Sequence, residues 1–321
     1  MSRVLNPDTA DYPVRPESRE RVLDAIERLN YRPNDLARAL LHRRTNVVGL
    51  VVPDISNSYY SALAHGAEEA ASSAGYRVIL CNTDRSLEKT STYLDTLVKS
   101  RVDGIIIAGG STDARLSSQL FEPYGTKLVL VGRHDLPYPS VQIDNVGAAR
   151  EATAYLLGLG HTALAFLAGP FTSHTVQDRL AGYRAALEEH GLPYDKRLIR
   201  EGDFQEQSGY AAARSLLETG RRPTAVIAVN DRTAFGAMAA LTDCGIRVPG
   251  DVSLVGFDDV PLASFMRPAL TTVAIPSYEI GQAAMRILPG ANSPEAPDRI
   301  HVLPTKLVVR ASCASPSVRA K

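Results

Sequence analysis

Short, continuous apolar runs alternate with longer amphipathic stretches through most of this chain, from residue 46 onward. The runs occupy residues 47–52, 77–80, 104–107, 127–131, 163–167, 225–229 and 252–256. Apolar runs of this kind predict strands that are covered on both faces, as in a parallel sheet. Tyr60, Leu63 and Ala67 recur at the helical period and predict a helix over residues 59–74. Strand and helix in alternation indicate right-handed βαβ units, hence a doubly wound α/β fold.

The alternation runs twice, once before and once after residues 144–145. Each half has about 100 residues, which is the size of one domain. We therefore expect two Rossmann-like lobes. In such sheets ligands bind outside the carboxyl ends of the strands, so two facing lobes would enclose a ligand cleft.

The composition excludes several other classes of protein. Hydrophobic residues make up 45% of the 321 positions, and the 35 basic side chains equal the 35 acidic ones, so intrinsic disorder of the whole chain is excluded. No apolar stretch of about 18 residues occurs and the first residues lack an apolar signal segment, so we expect a cytoplasmic protein without a membrane span. The three cysteines are far apart and predict neither a disulfide nor a zinc site.

Positive charge is concentrated near the start of the chain. Residues 1–45 contain nine arginines against seven acidic residues, a net charge of +2, and residues 28–44 alone carry +4. An arginine-rich segment beside a neutral body is typical of a protein that meets a polyanion at one end. A solvated surface of a helix would give the same pattern, so charge alone leaves both readings open.

The sequence lacks the common motifs of catalysis and nucleotide binding. We find no GxSxG, GxxxxGK[ST], HExxH or GxGxxG, and the seven histidines are scattered. An enzyme would need a positioned nucleophile or base, and a dinucleotide would need a phosphate loop. We therefore expect a binding protein without catalytic residues, cofactor or metal.

Polar side chains follow most of the predicted strands. They are Asp54 with residues 57–60, residues 82–84, Gly132 with Arg133, and the pairs 144–145, 230–231 and 258–259. Carboxylates, amides and guanidinium groups beside aromatic rings are what a polyhydroxylated ligand requires. Capping of the next helix explains any single one of these polar residues equally well. Six such strand ends together favour a polar ligand cleft.

Several segments together resemble one protein family. They are residues 32–34 (RPN), 37–40 (ARAL), 44–45 (RT), 49–57 (GLVVPDISN), 230–231 (ND), 248–258 (VPGDVSLVGFD) and 270–273 (LTTV). This combination resembles the lactose-repressor (LacI/GalR) family of transcription regulators over nearly the whole chain. The resemblance implies a helix-turn-helix headpiece, a hinge helix and an effector core shaped like periplasmic sugar-binding proteins. It also implies a homodimeric repressor that binds operator DNA and a small-molecule effector, most simply a sugar.

The resemblance assigns boundaries and DNA contacts. It implies a partial headpiece over residues 1–33, a hinge helix within 34–45, a first lobe of 46–145 plus 276–301, and a second lobe of 146–275 plus 302–321. The residues that match the family's DNA contacts are Ser2, Arg3, Asn6, Arg32, Asn34, Arg38 and Leu40. Leu40 matches the side chain that wedges into the minor groove, although a core leucine is the alternative reading.

The resemblance also assigns the effector site. Tyr59, Tyr60 and Phe204 resemble the stacking residues of the cleft. The polar contacts implied are Arg133, Thr175, Arg179, Asn230 and Asp258. For Arg179 the alternative is an ordinary arginine on a helix surface. The run 202–204 also resembles the ring-stacking segment of the purine-responsive family member, so a purine effector stays open.

The chain departs from the family pattern in three places. Gly132 stands where many sugar-responsive members carry an acid, and the final helix, over 277–288, is short. Residues 2–6 resemble the end of the helix that reads DNA, with nothing before them. The next helix, over 17–30, has Val22, Ile26 and Leu29 on one face, with Ser18 as its candidate cap.

Two explanations fit the incomplete headpiece at the start of the sequence. Either the start codon is assigned too far downstream, or the protein is a derivative that consists mainly of the core. As written, the headpiece is expected to fold poorly. The rival functions are a solute-binding protein of a transporter, a carbohydrate-active enzyme, and a sensor that binds effector but not DNA.

Overall fold

The computed structural model describes residues 15–29, 44–109, 121, 125–218, 222–288 and 300–316. The chain divides into two compact units, residues 1–45 and residues 46–321. In the first unit one helix is described, α1, Pro16–Arg28. Because Pro16 takes the first helical position, the helix begins after Arg15, and Ser18 lies inside it. The expectation that Ser18 caps this helix is therefore wrong.

No side chain of α1 is buried. Val22 and Ile26 are half-buried and Leu29 is 73% exposed, so the predicted apolar face has little cover among the described residues. An amphipathic helix of this length gains most of its stability from packing on such a face.

The second unit contains two six-stranded sheets. The first has strands β1 Val47–Val52, β2 Arg77–Asn82, β3 Gly104–Ala108, β4 Lys127–Val131, β5 Ser140–Ile143 and β11 Ile300–Leu303. The second has β6 Leu164–Leu167, β7 Ile199–Arg200, β8 Ala225–Ala228, β9 Ser253–Asp258, β10 Thr271–Ala274 and β12 Lys306–Val308. Their orders are β11-β5-β4-β3-β1-β2 and β12-β10-β9-β8-β6-β7. All described pairs are parallel except β10 with β12, which confirms the predicted class.

Helices cover both faces of each sheet. They are α2 Ser58–Ser73, α3 Leu87–Lys99, α4 Asn145–Gly158, α5 His174–Glu189, α6 Glu206–Glu218, α7 Asp231–Asp243, α8 Pro261–Phe265 and α9 Ser277–Ile287. In β1, Leu50 packs toward α2 and α9, whereas Val51 packs toward α3, and both are buried. Burial on both faces is why these strands are apolar at successive positions.

The helices of each lobe pack closely through glycines. A Cβ at Gly66 of α2 would collide with the carbonyl oxygen of Tyr278, and one at Gly281 of α9 with that of Leu63. In the second lobe, Gly209 of α6 and Gly236 of α7 are each apposed in the same way to the backbone of the partner helix. The backbones of these helix pairs are therefore in direct contact.

The chain passes between the lobes three times. It enters the second lobe between β5 and α4, returns between β10 and α9, and crosses again between β11 and β12. β11 belongs to the first sheet through Leu303. Within the described residues, no helix is long and apolar enough to span a membrane.

Candidate functional site

A cavity of about 820 Å³ lies between the lobes at the carboxyl ends of their strands. Its size is within the range of small-molecule sites, which is about 300–1,000 Å³. Seven of the eight predicted ligand-binding residues line it: Tyr59, Tyr60, Thr175, Arg179, Phe204, Asn230 and Asp258. Side chains from both lobes thus face one cavity.

Two tyrosines form part of the first-lobe wall. They occupy the first turn of α2, where the side chain of Asn57 accepts a hydrogen bond from the backbone N–H of Tyr59 (3.0 Å). The rings of Tyr59 and Tyr60 meet edge to face, with centroids 4.9 Å apart. Burial raises the pKa of Tyr60 to about 12 and raises that of Tyr59 as well. Both phenols are therefore neutral near pH 7 and able to donate a hydrogen bond.

Arg179 is the buried cation of the second-lobe wall. This residue of α5 is 4% exposed, and its Nε donates to Oδ1 of Asn145 (2.9 Å). It also donates to the carbonyl of Val229, and its guanidinium lies 4.2 Å from the ring centroid of Phe257. Burial lowers the pKa of Arg179, but a guanidinium stays charged in a protein. The alternative of a surface arginine is therefore wrong.

Asp258 is the acidic group of the cavity. It ends β9 with a φ of 112°, and Asp259 follows with a φ of 56°. Burial raises the pKa of Asp258 to about 7, although the charge of Arg179 and a hydrogen bond from the side chain of Asn57 act to lower it. The carboxyl group can therefore change its protonation state near neutral pH.

A second carboxyl group, that of Asp231, interacts with Asp258. Asp231 is fully buried and accepts hydrogen bonds from Thr272 Oγ1 (2.6 Å) and from the N–H of Val260 (2.9 Å). Burial and then the charge of Asp258 raise its pKa well above the ordinary range. Through the hydrogen bond from Val260, Asp231 thus helps to fix the turn that follows Asp258, and the charge of Asp258 favours its neutral form.

Several strand-end groups act as helix caps. The side chains of Asn57, Asp144 and Asn230 accept backbone N–H groups at the starts of α2, α4 and α7. Asn57 and Asn230 line the cavity as well. Capping and cavity lining are therefore compatible at these positions, because a helix that starts at the sheet edge starts at the cleft.

Phe204 faces the cavity from the loop before α6. Its carbonyl accepts a hydrogen bond from Nδ2 of Asn230 (3.1 Å), and its φ is 70°. Arg85 of the first lobe lies over the ring, 4.9 Å from the centroid. Phe204 is thus contacted by both lobes, through its carbonyl in the second and through its ring in the first.

The structure does not bring Arg133 to the cavity with the other seven residues. Its Nε donates to Oδ2 of Asp178 (2.9 Å) and its Nη2 to Oε1 of Gln177 (3.3 Å), both on α5. Asp178 of the second lobe thus holds the guanidinium of Arg133, which belongs to the first lobe. Nothing in the sequence signals this pairing, since 45 positions separate the two residues.

A second polar bridge joins the lobes at Asp54, which follows β1. Its Oδ2 accepts from Arg232 Nη1 (2.9 Å) and from Gln205 Nε2 (3.0 Å), both in the second lobe. Arg232 also makes two 2.7 Å bonds to the carboxylate of Glu206. Burial acts to raise the pKa of Asp54, but hydrogen bonds from Ser56 and Gln205 and the charge of Arg232 hold it down at about 2.

The predicted DNA contacts lie outside the described residues. Ser2, Arg3 and Asn6 precede residue 15, and the other four fall within residues 30–43. Within the described ranges no group of three or more His, Cys, Asp or Glu side chains could hold a metal ion.

Two parallel-sheet lobes that enclose a cavity walled by polar and aromatic side chains define a two-lobed ligand-binding protein. Residues 45–302 match the family described as "Periplasmic binding proteins and sugar binding domain of LacI family". The chain belongs to the LacI family of transcription regulators.

Individual relatives agree with this assignment. Catabolite control protein A of Priestia megaterium is 37% identical over 317 residues, which are 97% of this chain and 94% of the relative. The lac repressor dimer bound to operator and the anti-inducer ONPF has a TM-score of 0.87 at 29% identity, covering 98% of this chain and 94% of that one. The complex of the transcriptional regulator CelR with cellobiose has a TM-score of 0.76 at 34% identity, covering 97% and 94%.

Proposed function

We propose that this regulator binds a sugar in the cavity between its lobes and that the sugar controls its affinity for operator DNA. The observation that carries the proposal is that seven side chains from both lobes line one cavity. A ligand that contacts both walls binds the closed arrangement of the lobes better than an open one, so it shifts the population toward closure.

The chemistry of the walls favours a sugar. Asp258, Arg179 and Asn230 offer acceptors and donors that can pair with hydroxyl groups, while Tyr59 and Phe204 offer rings for apolar sugar faces. A related regulator in complex with cellobiose supports the same class of effector. We propose binding without chemical turnover, as in regulators of this family.

The DNA-binding role is proposed for the first unit of the chain. Residues 1–45 carry a net charge of +2, and the similarity to the operator-bound lac repressor dimer covers 98% of this chain. We propose that the chain acts as a homodimeric repressor on operator DNA, and hence in the cytoplasm. The predicted contacts, Leu40 and the neighbouring arginines among them, would bind the minor groove and phosphates.

Calorimetry of the purified protein tests the effector assignment. Titration with monosaccharides, disaccharides, sugar phosphates and purines should identify a binding sugar. Asp258→Asn should weaken its binding about 30- to 1,000-fold, because one acceptor oxygen of a buried hydrogen-bonding group becomes a donor. Asp243→Asn, at the exposed end of α7, serves as the matched control and should leave affinity unchanged.

Two results would contradict the proposal. If a purine binds and no sugar does, the effector class is wrong. If a sugar binds Asp258→Asn as tightly as the parent, the cavity is not its site.

A further inference from the structure

The bridge at Asp54 involves no residue of the cavity wall. We call Asp54, Gln205, Glu206 and Arg232 the rim latch; none of the four lines the cavity. Its cross-lobe bonds run from Arg232 and Gln205 to the carboxylate of Asp54, with a further contact from Arg232 Nη1 to Ser56 Oγ (3.2 Å).

We propose that the rim latch consists of positioning residues for the effector site, which hold the lobes closed and Phe204 over the cavity before an effector binds. This inference rests on the proposed function of the cavity as an effector site. The latch would thus set effector affinity without contact with the effector.

Each half of the latch is held in place within its own lobe. In the first lobe, Asp54 Oδ1 accepts hydrogen bonds from the N–H and the Oγ of Ser56 (3.0 and 2.6 Å). In the second lobe, Glu206 binds the guanidinium of Arg232 through both of its carboxylate oxygens. The side chains are thus oriented before they meet, so closure loses little side-chain entropy.

Because the rim latch is partly buried, its ion pair contributes more free energy than an ordinary ion pair on the surface. The side chains of Asp54 and Arg232 are each 16% exposed. A fully exposed pair contributes little because water and salt screen it. Here the partial removal of water strengthens the attraction, and the bidentate pairing with Glu206 balances part of the buried charge.

The rim latch also affects the cavity wall, because it is connected to Phe204. Gln205 is the next residue along the chain, and its side chain is bound to Asp54 of the first lobe. The carbonyl of Phe204 is held by Asn230, and its ring lies under Arg85 of the first lobe. Release of Gln205 and Arg232 from Asp54 would therefore free the loop that places this ring against the effector.

A double-mutant cycle tests the proposal. Asp54→Ala, Arg232→Ala and the double variant would be compared with the parent by small-angle scattering without sugar and by titration with the effector sugar. We expect each single variant to have a larger radius of gyration. Each should also bind the sugar about 5- to 30-fold more weakly, because only the closed fraction is competent. The double variant should be no worse than Asp54→Ala, since that substitution already removes both cross-lobe bonds to the carboxylate.

Arg247→Ala is the matched control, because it removes an exposed ion pair with Asp251 within the second lobe. It should change neither measurement. Thermal unfolding of every variant verifies that the fold is kept, and a variant that fails to fold would be replaced by Gln205→Ala, which removes one cross-lobe bond. The proposal is wrong if Asp54→Ala changes neither the scattering nor the affinity for the sugar. It is also wrong if the losses of affinity in the double variant are additive. If no sugar binds the parent, the proposed function fails, while scattering of the sugar-free proteins still decides on the latch.

Discussion

At the scale of the residue, the protonation of Asp258 is the property that most directly affects the stability of the protein. Its pKa of about 7 in the folded protein is well above the ordinary aspartate value of about 4. The folded state therefore binds more protons than the unfolded state between these two pH values. Protonation of Asp258 therefore stabilises the folded state most at the low-pH end of this window. This stabilisation is lost as the pH rises through the pKa of Asp258 in the folded state.

We predict that the sugar-free protein loses stability between about pH 5 and pH 7 and that Asp258→Asn flattens this dependence. The expected difference is a few kcal/mol at most, because one unit of pKa shift corresponds to about 1.4 kcal/mol. Denaturant unfolding at several pH values measures it, with Asp243→Asn as the control. A profile that is the same in Asp258→Asn and in the parent would exclude Asp258 as the titrating group.

At the scale of the element, long apolar runs were predictable and short strands were not. The seven apolar runs predict β1, β2, β3, β4, β6, β8 and β9. No such run marks β5 (SVQI), the two-residue β7, the short β10 and β12, or the edge strand β11, which is mostly exposed. Short or edge strands need no continuous apolar run, since one face or one end meets water.

The close helix pair in the first lobe gives a prediction at the same scale. Gly281→Ala should destabilise the protein by about 1–3 kcal/mol, because the methyl group would collide with the backbone of α2 at Leu63. Chemical denaturation measures the change. Gly158→Ala, on α4 where a Cβ meets no other atom, is the control, and an equal effect of both would argue against tight apposition.

At the scale of the whole molecule, the sequence predicted two lobes and a cleft but not the contacts that join them. The family resemblance assigned eight residues to the effector site, and seven of them line the cavity. Arg232 and Asp54 are 178 positions apart, and no local pattern marks them as partners. The position of Arg133 escaped prediction for the same reason: its neighbour across the lobe boundary is set by tertiary structure.

The division of the chain leads to a prediction about its parts. Residues 46–321 form one compact unit that contains every residue of the cavity wall. This segment alone should bind the effector sugar within about threefold of the affinity of the whole chain, since binding reflects the contacts of the cavity. Calorimetry of both proteins checks this, and loss of sugar binding in the shorter one would show that residues 1–45 are needed to form the site.

The glycine-lined helix pairs also determine how each lobe responds to force. Where the helix backbones touch at these glycines, few side chains lie between them that could rearrange and absorb a displacement, so we expect each lobe to move as a stiff body. We expect motion between the lobes to occur at the three crossing segments, which would act as a common pivot. A stiff body turning about a pivot behaves as a lever: a shift of a fraction of an ångström at the cavity becomes a larger one at the end of the lobe farthest from the pivot.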